Sequence, residues 1–262
     1  MLTIYDNNYK ELLETLDKYC CFGDELYQAT YRDDIINPLK CATNLPKWTY
    51  DTGATKLVLI FHGMDTVIKI PFTGSDETHY CGGDMAASCP KEYSCVKKGT
   101  WCTNCCGCSY YDCPRRGHYE YSTFYGANAS NGWDYCEAEV RYFELAEEIG
   151  LDECFAKVWR IGEICGHPIY AQVRAEMFEG ESSRRSYSAE KLTSVRKTIE
   201  EKMDFYCFNE YWLSDFNDFF GEEKMEKLLK FLSTESIEDL HDGNLGYVCG
   251  VPVLVDFAGY YD

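Results

Sequence analysis

Asp239, Asn244 and Asp256 are the residues of this chain whose types and spacing most directly suggest chemistry. Asn244 stands just before an apolar run, Leu245 to Val248, and Asp256 just after a second one, Val251 to Val255, with Cys249-Gly250 between them. The pattern predicts a short hairpin, which puts both side chains at its open end. Asp239 lies five residues upstream of Asn244, in an expected loop leaving an apolar helix, so that Asp239-Leu240-His241-Asp242-Gly243-Asn244 can wrap beside them. Grouped hard oxygen donors suit Mg²⁺, which keeps several waters and takes its remaining ligands from phosphates. A plain turn accounts for Asp, Gly and Asn taken singly; the closing Asp256 favours a site.

The elements that must position these groups follow from periodicity. Tyr5, Tyr9, Leu12, Leu13, Leu16 and Tyr19 fall at helical spacing, so residues 1–44 are expected to form an N-terminal helical extension. Leu57 to Phe61 and Thr66 to Phe72, separated by His62-Gly63-Met64-Asp65, predict a hairpin. Asp134 and Glu137 open a capping-box-like helix that carries Tyr135, Ala138, Tyr142, Leu145, Ala146 and Ile149 and stops at Gly150. Strand-like stretches at Ala156 to Ile164 and Pro168 to Phe178 precede a polar break, Glu179 to Ser188, read as a lobe boundary. Helices are expected over Ala189 to Phe205 and Glu222 to Leu232. The reading is therefore α+β, with a β-rich lobe over 45–180 and a shorter helical lobe over 181–262.

Asp239 to Asn244 resembles the catalytic loop of protein-kinase-like phosphotransferases, closest to the D-L-H-x-x-N form of the aminoglycoside and choline kinase relatives. Val255-Asp256-Phe257-Ala258-Gly259 resembles their metal-binding D-F-G segment, twelve residues on from Asn244 to Asp256. The resemblance implies Asp239 as the catalytic base or hydroxyl orienter and Asn244 and Asp256 as Mg²⁺ ligands. It also implies Lys69, in Val67-Ile68-Lys69-Ile70, as the contact to the ATP phosphates. A lysine between aliphatic residues needs an anionic partner if it points inward, and Glu139 is the best match for that acid, with Glu137 and Glu144 as alternatives. Thr52, Gly53 and Thr55 stand where the phosphate-covering loop belongs, with a single glycine.

The likeness covers roughly residues 45–72 and 133–262. It departs at Ile237-Glu238-Asp239, where the usual histidine is missing, and only Phe257 to Asp262 follow Asp256. The expected fold is thus a two-lobed kinase-like one with a truncated C-terminal lobe. The function it implies is an ATP- and Mg²⁺-dependent kinase acting on protein serine or threonine. A nucleotide-binding pseudokinase that engages a partner protein and a small-molecule kinase are the alternatives.

Residues 73–131 read as an insertion rich in Gly, Ser, Tyr and Cys. It carries Cys81, Cys89, Cys95, Cys102, Cys105, Cys106, Cys108 and Cys113. Four thiolates make a tetrahedral Zn²⁺ site, and Cys102 and Cys105 have suitable spacing. Structural zinc leads over disulfides and free thiols, with the ligand subset open. Forty-four acidic against twenty-five basic residues, net −19, argue against nucleic acid as a general partner. The N-terminus lacks a signal-peptide pattern and no apolar run is long enough to span a bilayer, so a cytoplasmic protein without membrane contact is expected.

Overall fold

The computed structural model describes residues 1–20, 22, 32–52, 56–71, 132–178, 187–202, 207–237 and 239–258. The chain is α+β and divides into two units, Met1–Cys136 with Trp159–Ala171, and Glu137–Val158 with Gln172–Asp262. Residues 137–158 thus group with the C-terminal elements, although they precede the break expected near residue 180.

The first unit is built on a six-stranded sheet of order β1-β5-β6-β4-β3-β2. Its strands are β1 (Leu2–Ile4), β2 (Trp48–Thr52), β3 (Lys56–Phe61), β4 (Thr66–Pro71), β5 (Val158–Ile164) and β6 (His167–Val173). The expected β3–β4 hairpin is present and antiparallel, with Leu57 opposite Ile70 and Leu59 opposite Ile68. Alternation sends Leu57, Leu59 and Phe61 into the core, where they meet Ile68 and Ile70. β5 and β6 turn at Cys165-Gly166, whose φ values of 51° and 84° are those of a type I′ turn.

The first 44 residues contribute directly to this unit. β1 pairs antiparallel with β5, Ile4 lying opposite Gly162. Helix α1 (Lys10–Tyr19) then buries Leu12, Leu13 and Leu16, one face of its 3.6-residue repeat. α2 (Arg32–Leu39) adds Ile35, Ile36 and Leu39 to the same core. Helix α3 (Gly132–Glu148) starts two residues before the expected cap and ends ahead of Gly150, whose φ is +69°.

In the second unit, β7 (Glu176–Met177), β10 (Leu245–Val248) and β11 (Val251–Leu254) form a sheet of order β11-β10-β7. The expected closing hairpin is β10–β11, Leu245 opposite Leu254, and Cys249-Gly250 takes φ 51° and 84°, the same turn geometry as Cys165-Gly166. Helices α4 (Ala189–Lys202) and α6 (Glu222–Thr234) match the expected segments. Between them lies α5 (Glu210–Phe220), which sequence reading did not separate out. Its signals are local: Asn209 Oδ1 accepts from the amides of Tyr211 and Trp212, and Trp212, Leu213 and Phe216 are buried. Asp239 differs from expectation too. It is not in a loop but in β9 (Asp239–Leu240), paired in parallel with β8 (Cys207–Phe208).

A buried carboxylate ties three of these segments together. Asp215 on α5 accepts from Tyr187 Oη at 2.7 Å, just ahead of α4, and from Tyr247 Oη at 2.5 Å on β10. Hydrogen bonds to a charged group are worth more than neutral ones, so Asp215→Ala is expected to lower unfolding stability by about 3 kcal/mol in urea titration. Burial first, and then the bond to Asp215, raise the Tyr187 hydroxyl above its ordinary value of 10.0. The neutral phenol is therefore favoured by folding, and its contribution is full below pH 10 and lost as pH rises further. Stability should fall above pH 10, and Tyr187→Phe should flatten that fall in urea titrations from pH 9 to 11.

Candidate functional site

The open end of the β10–β11 hairpin brings together two of the expected site residues. The carbonyl of Asn244 accepts from the amide of Val255 at 2.8 Å and from that of Asp256 at 3.5 Å. Asn244 is 8 % exposed and Asp256 half-buried. A carboxamide and a carboxylate, anchored to one backbone junction, are hard oxygen donors of the type Mg²⁺ takes, and the residues present fit such an ion. Among the described residues no group of three or more His, Cys, Asp or Glu converges on a point, so any cation held here would draw further ligands from water or a bound phosphate.

The loop leading to Asn244 is fixed from several directions. The Ile237 amide donates to Leu232 O at 2.8 Å, closing the end of α6. The parallel β8–β9 pairing sets Leu240 opposite Phe208. His241 Nδ1 accepts from the Gly243 amide at 2.9 Å and so caps the 3₁₀ turn Asp242–Asn244. His241 thus serves the loop's own hydrogen bonding. Asn209 Nδ2 donates to Asp242 Oδ1 at 2.6 Å, so the residue that caps α5 also ties down this turn. The position of Asp239 is given by its backbone in β9.

The segment after Asn244 and β11 is held as firmly. Phe155 forms a parallel bridge with Leu254, and the Ala156 amide donates to Leu254 O at 2.8 Å. Phe257 is buried against Phe155, ring centroids 4.9 Å apart, and Phe155 in turn against Phe231 at 5.7 Å. Gln172, fully buried, donates from Nε2 to Val255 O at 2.7 Å and to Ala156 O at 3.2 Å. Gln172 and Asn209 were not singled out from sequence. Asn209 had a signal in its capping position ahead of an apolar helix; Gln172, in a run of strand formers, had none.

The remaining expected residues fall as follows. Lys69 is on β4 in the first unit, 3 % exposed between Ile68 and Ile70. Glu139 is on α3, in the part belonging to the second unit, and is fully buried, whereas Glu137 is partly buried and Glu144 exposed. Thr52 ends β2, and Gly53 and Thr55 lie outside the described residues. Cys81, Cys89, Cys95, Cys102, Cys105, Cys106, Cys108 and Cys113 lie outside them too.

Among described cysteines, burial and the nearby Asp152 push the Cys154 thiol up to about 12, while Cys41 and Cys249 are exposed. The thiolate is the reactive form, so a maleimide at pH 8 should label Cys41 and Cys249 and spare Cys154, as read by peptide mass mapping of the native protein. Among the described residues no helix is long and apolar enough to cross a membrane.

No protein-family model matches this chain, and no curated protein matches it either.

Proposed function

We propose that this chain is an ATP- and Mg²⁺-dependent phosphotransferase with a two-lobed kinase-like fold, and that its acceptor is a serine or threonine hydroxyl of a protein. The observation that carries the reading is the junction of Asn244 with Asp256, formed by two bonds to one carbonyl at the mouth of an apolar hairpin. The order of the other parts agrees with it. A buried lysine on a sheet strand is followed by a helix with a buried glutamate, then by two strands of the same sheet, the Asp239 segment and the hairpin.

In this reading Lys69 contacts the nucleotide phosphates, with Glu139 as the acid matched to it, and Thr52, Gly53 and Thr55 cover them. Asn244 and Asp256 would hold Mg²⁺, which supplies neutralisation of the phosphate charge when bound. Asp239 orients the acceptor hydroxyl and takes its proton as the oxygen bonds to the γ-phosphorus and the bridging oxygen leaves with ADP. The cysteines of residues 81–113 would hold a structural zinc ion apart from this chemistry.

The test is incubation with ATP and Mg²⁺, followed by ADP assay and intact-mass analysis of the chain and of added protein acceptors. Matched ADP and phosphoprotein are expected. Asp239→Asn should slow the transfer about 10²- to 10⁴-fold, as loss of a general base does. Binding of nucleotide without any transfer would favour the second reading, a pseudokinase module that engages a partner protein. The absence of a histidine ahead of Asp239, with His241 committed to the Gly243 amide, is the feature that favours it. Transfer confined to small hydroxyl compounds would instead indicate a small-molecule kinase.

A further inference from the structure

We infer that Gln172 is a positioning residue for the metal pair, acting through the peptide that joins Val255 to Asp256; this rests on the reading of Asn244 and Asp256 as that pair. A peptide unit is planar, so the carbonyl of Val255 and the amide of Asp256 turn together. Both ends of this plane are held. Its carbonyl accepts from Gln172 Nε2 at 2.7 Å, and its amide faces the carbonyl of Asn244 at 3.5 Å. The Asp256 side chain hangs from a plane fixed at one end by Gln172 and at the other by its companion ligand residue.

The orientation of the Gln172 amide follows from its partners. Both Ala156 and Val255 offer carbonyl oxygens, which only the NH₂ group can satisfy, so Oε1 faces the other way. That oxygen is buried and has no hydrogen-bond partner. A buried acceptor left unpaired is costly, and an aliphatic side chain on β6 would avoid it. What an aliphatic side chain could not do is bridge the segment at Ala156, just ahead of β5, to the peptide at Val255. The glutamine at this position is therefore explained by the bridge and not by the packing of the strand. Groups that hold a metal-ligating residue in place by hydrogen bonds act in this way.

Gln172→Leu tests the inference, with Gln172→Met alongside as a more adaptable apolar replacement. Two readouts are needed. Hydrogen exchange of the metal-free protein reports on the Val255 and Asp256 amides, and electron paramagnetic resonance reports binding of Mn²⁺, a paramagnetic substitute for Mg²⁺, with a non-hydrolysable ATP analogue. The variants should exchange faster at these two amides and bind Mn²⁺ about 10- to 100-fold more weakly, with analogue affinity in the absence of metal unchanged. A role in packing alone would move metal-free analogue binding as well. Unchanged exchange at Val255 and Asp256, or unchanged Mn²⁺ affinity in a folded variant, overturns the inference. Absence of Mn²⁺ binding by the wild type, with exchange still faster in the variants, overturns the functional reading and the metal role of Gln172 with it, leaving only the clamp.

Discussion

Asp256→Ala is expected to weaken the Mg²⁺-dependent part of ATP binding by at least about 100-fold, near 3 kcal/mol, while leaving the fold intact. The bonds that build the hairpin mouth use the main chain of Val255, Asp256 and Asn244, and alanine keeps all of them. The carboxylate itself is half-buried, so its removal leaves no enclosed cavity. On the proposed reading, what is lost is one of two hard donors, and with it the geometry that a second ligand cannot supply alone. Lys69→Met should act on the nucleotide side, lowering affinity about tenfold or more with and without metal. The two variants thus separate metal-linked from phosphate-linked binding in calorimetry. Unchanged affinity in both, with normal circular dichroism, would remove Lys69 and Asp256 from the site.

Gly162→Ala should be a damaging change in the first unit. A methyl group there would lie 2.6 Å from the carbonyl oxygen of Thr3 and 2.6 Å from Leu13 Cδ1. The leucine can rotate, but the carbonyl belongs to β1, which is paired to β5 at this residue and continues into the bond from the Tyr5 amide to Ile161 O at 2.9 Å. Either β1 leaves the sheet edge or the sheet bends. Overpacking of this kind costs roughly 2–3 kcal/mol, which corresponds to a fall of about 5–10 °C in thermal midpoint. Hydrogen exchange should rise first over residues 1–20. An unaltered midpoint would contradict the close approach of β1 to β5.

The elements read correctly from sequence are those whose information is local. The β3–β4 and β10–β11 hairpins are written in short apolar, strand-forming runs around Gly63 and Cys249-Gly250, and α6 in the repeat of Met225, Leu228, Leu229 and Leu232. The missed features are settled by contacts far apart in the chain. β1 is three residues long, too short for any period, and becomes a strand because β5, more than 150 residues later, offers it an edge. Asp239 and Leu240 are extended because β8 pairs with them, although a loop was the better local reading. Gln172 shows the limit most plainly, since its partner Val255 lies 83 residues away and nothing in His167–Val173 marks it. At the candidate site, the meeting of Asn244 and Asp256 was legible because a hairpin of two short strands fixes which residues flank it. The contributions of Asn209 and Gln172 depend on tertiary placement and were not.

Metal-dependent nucleotide binding is tested most directly by calorimetric titration of the purified protein, prepared with zinc, with a non-hydrolysable ATP analogue, with and without Mg²⁺. Binding should strengthen markedly when Mg²⁺ is present and lose that metal dependence in Asp256→Ala. No binding, or binding indifferent to the metal, would contradict the kinase-like reading.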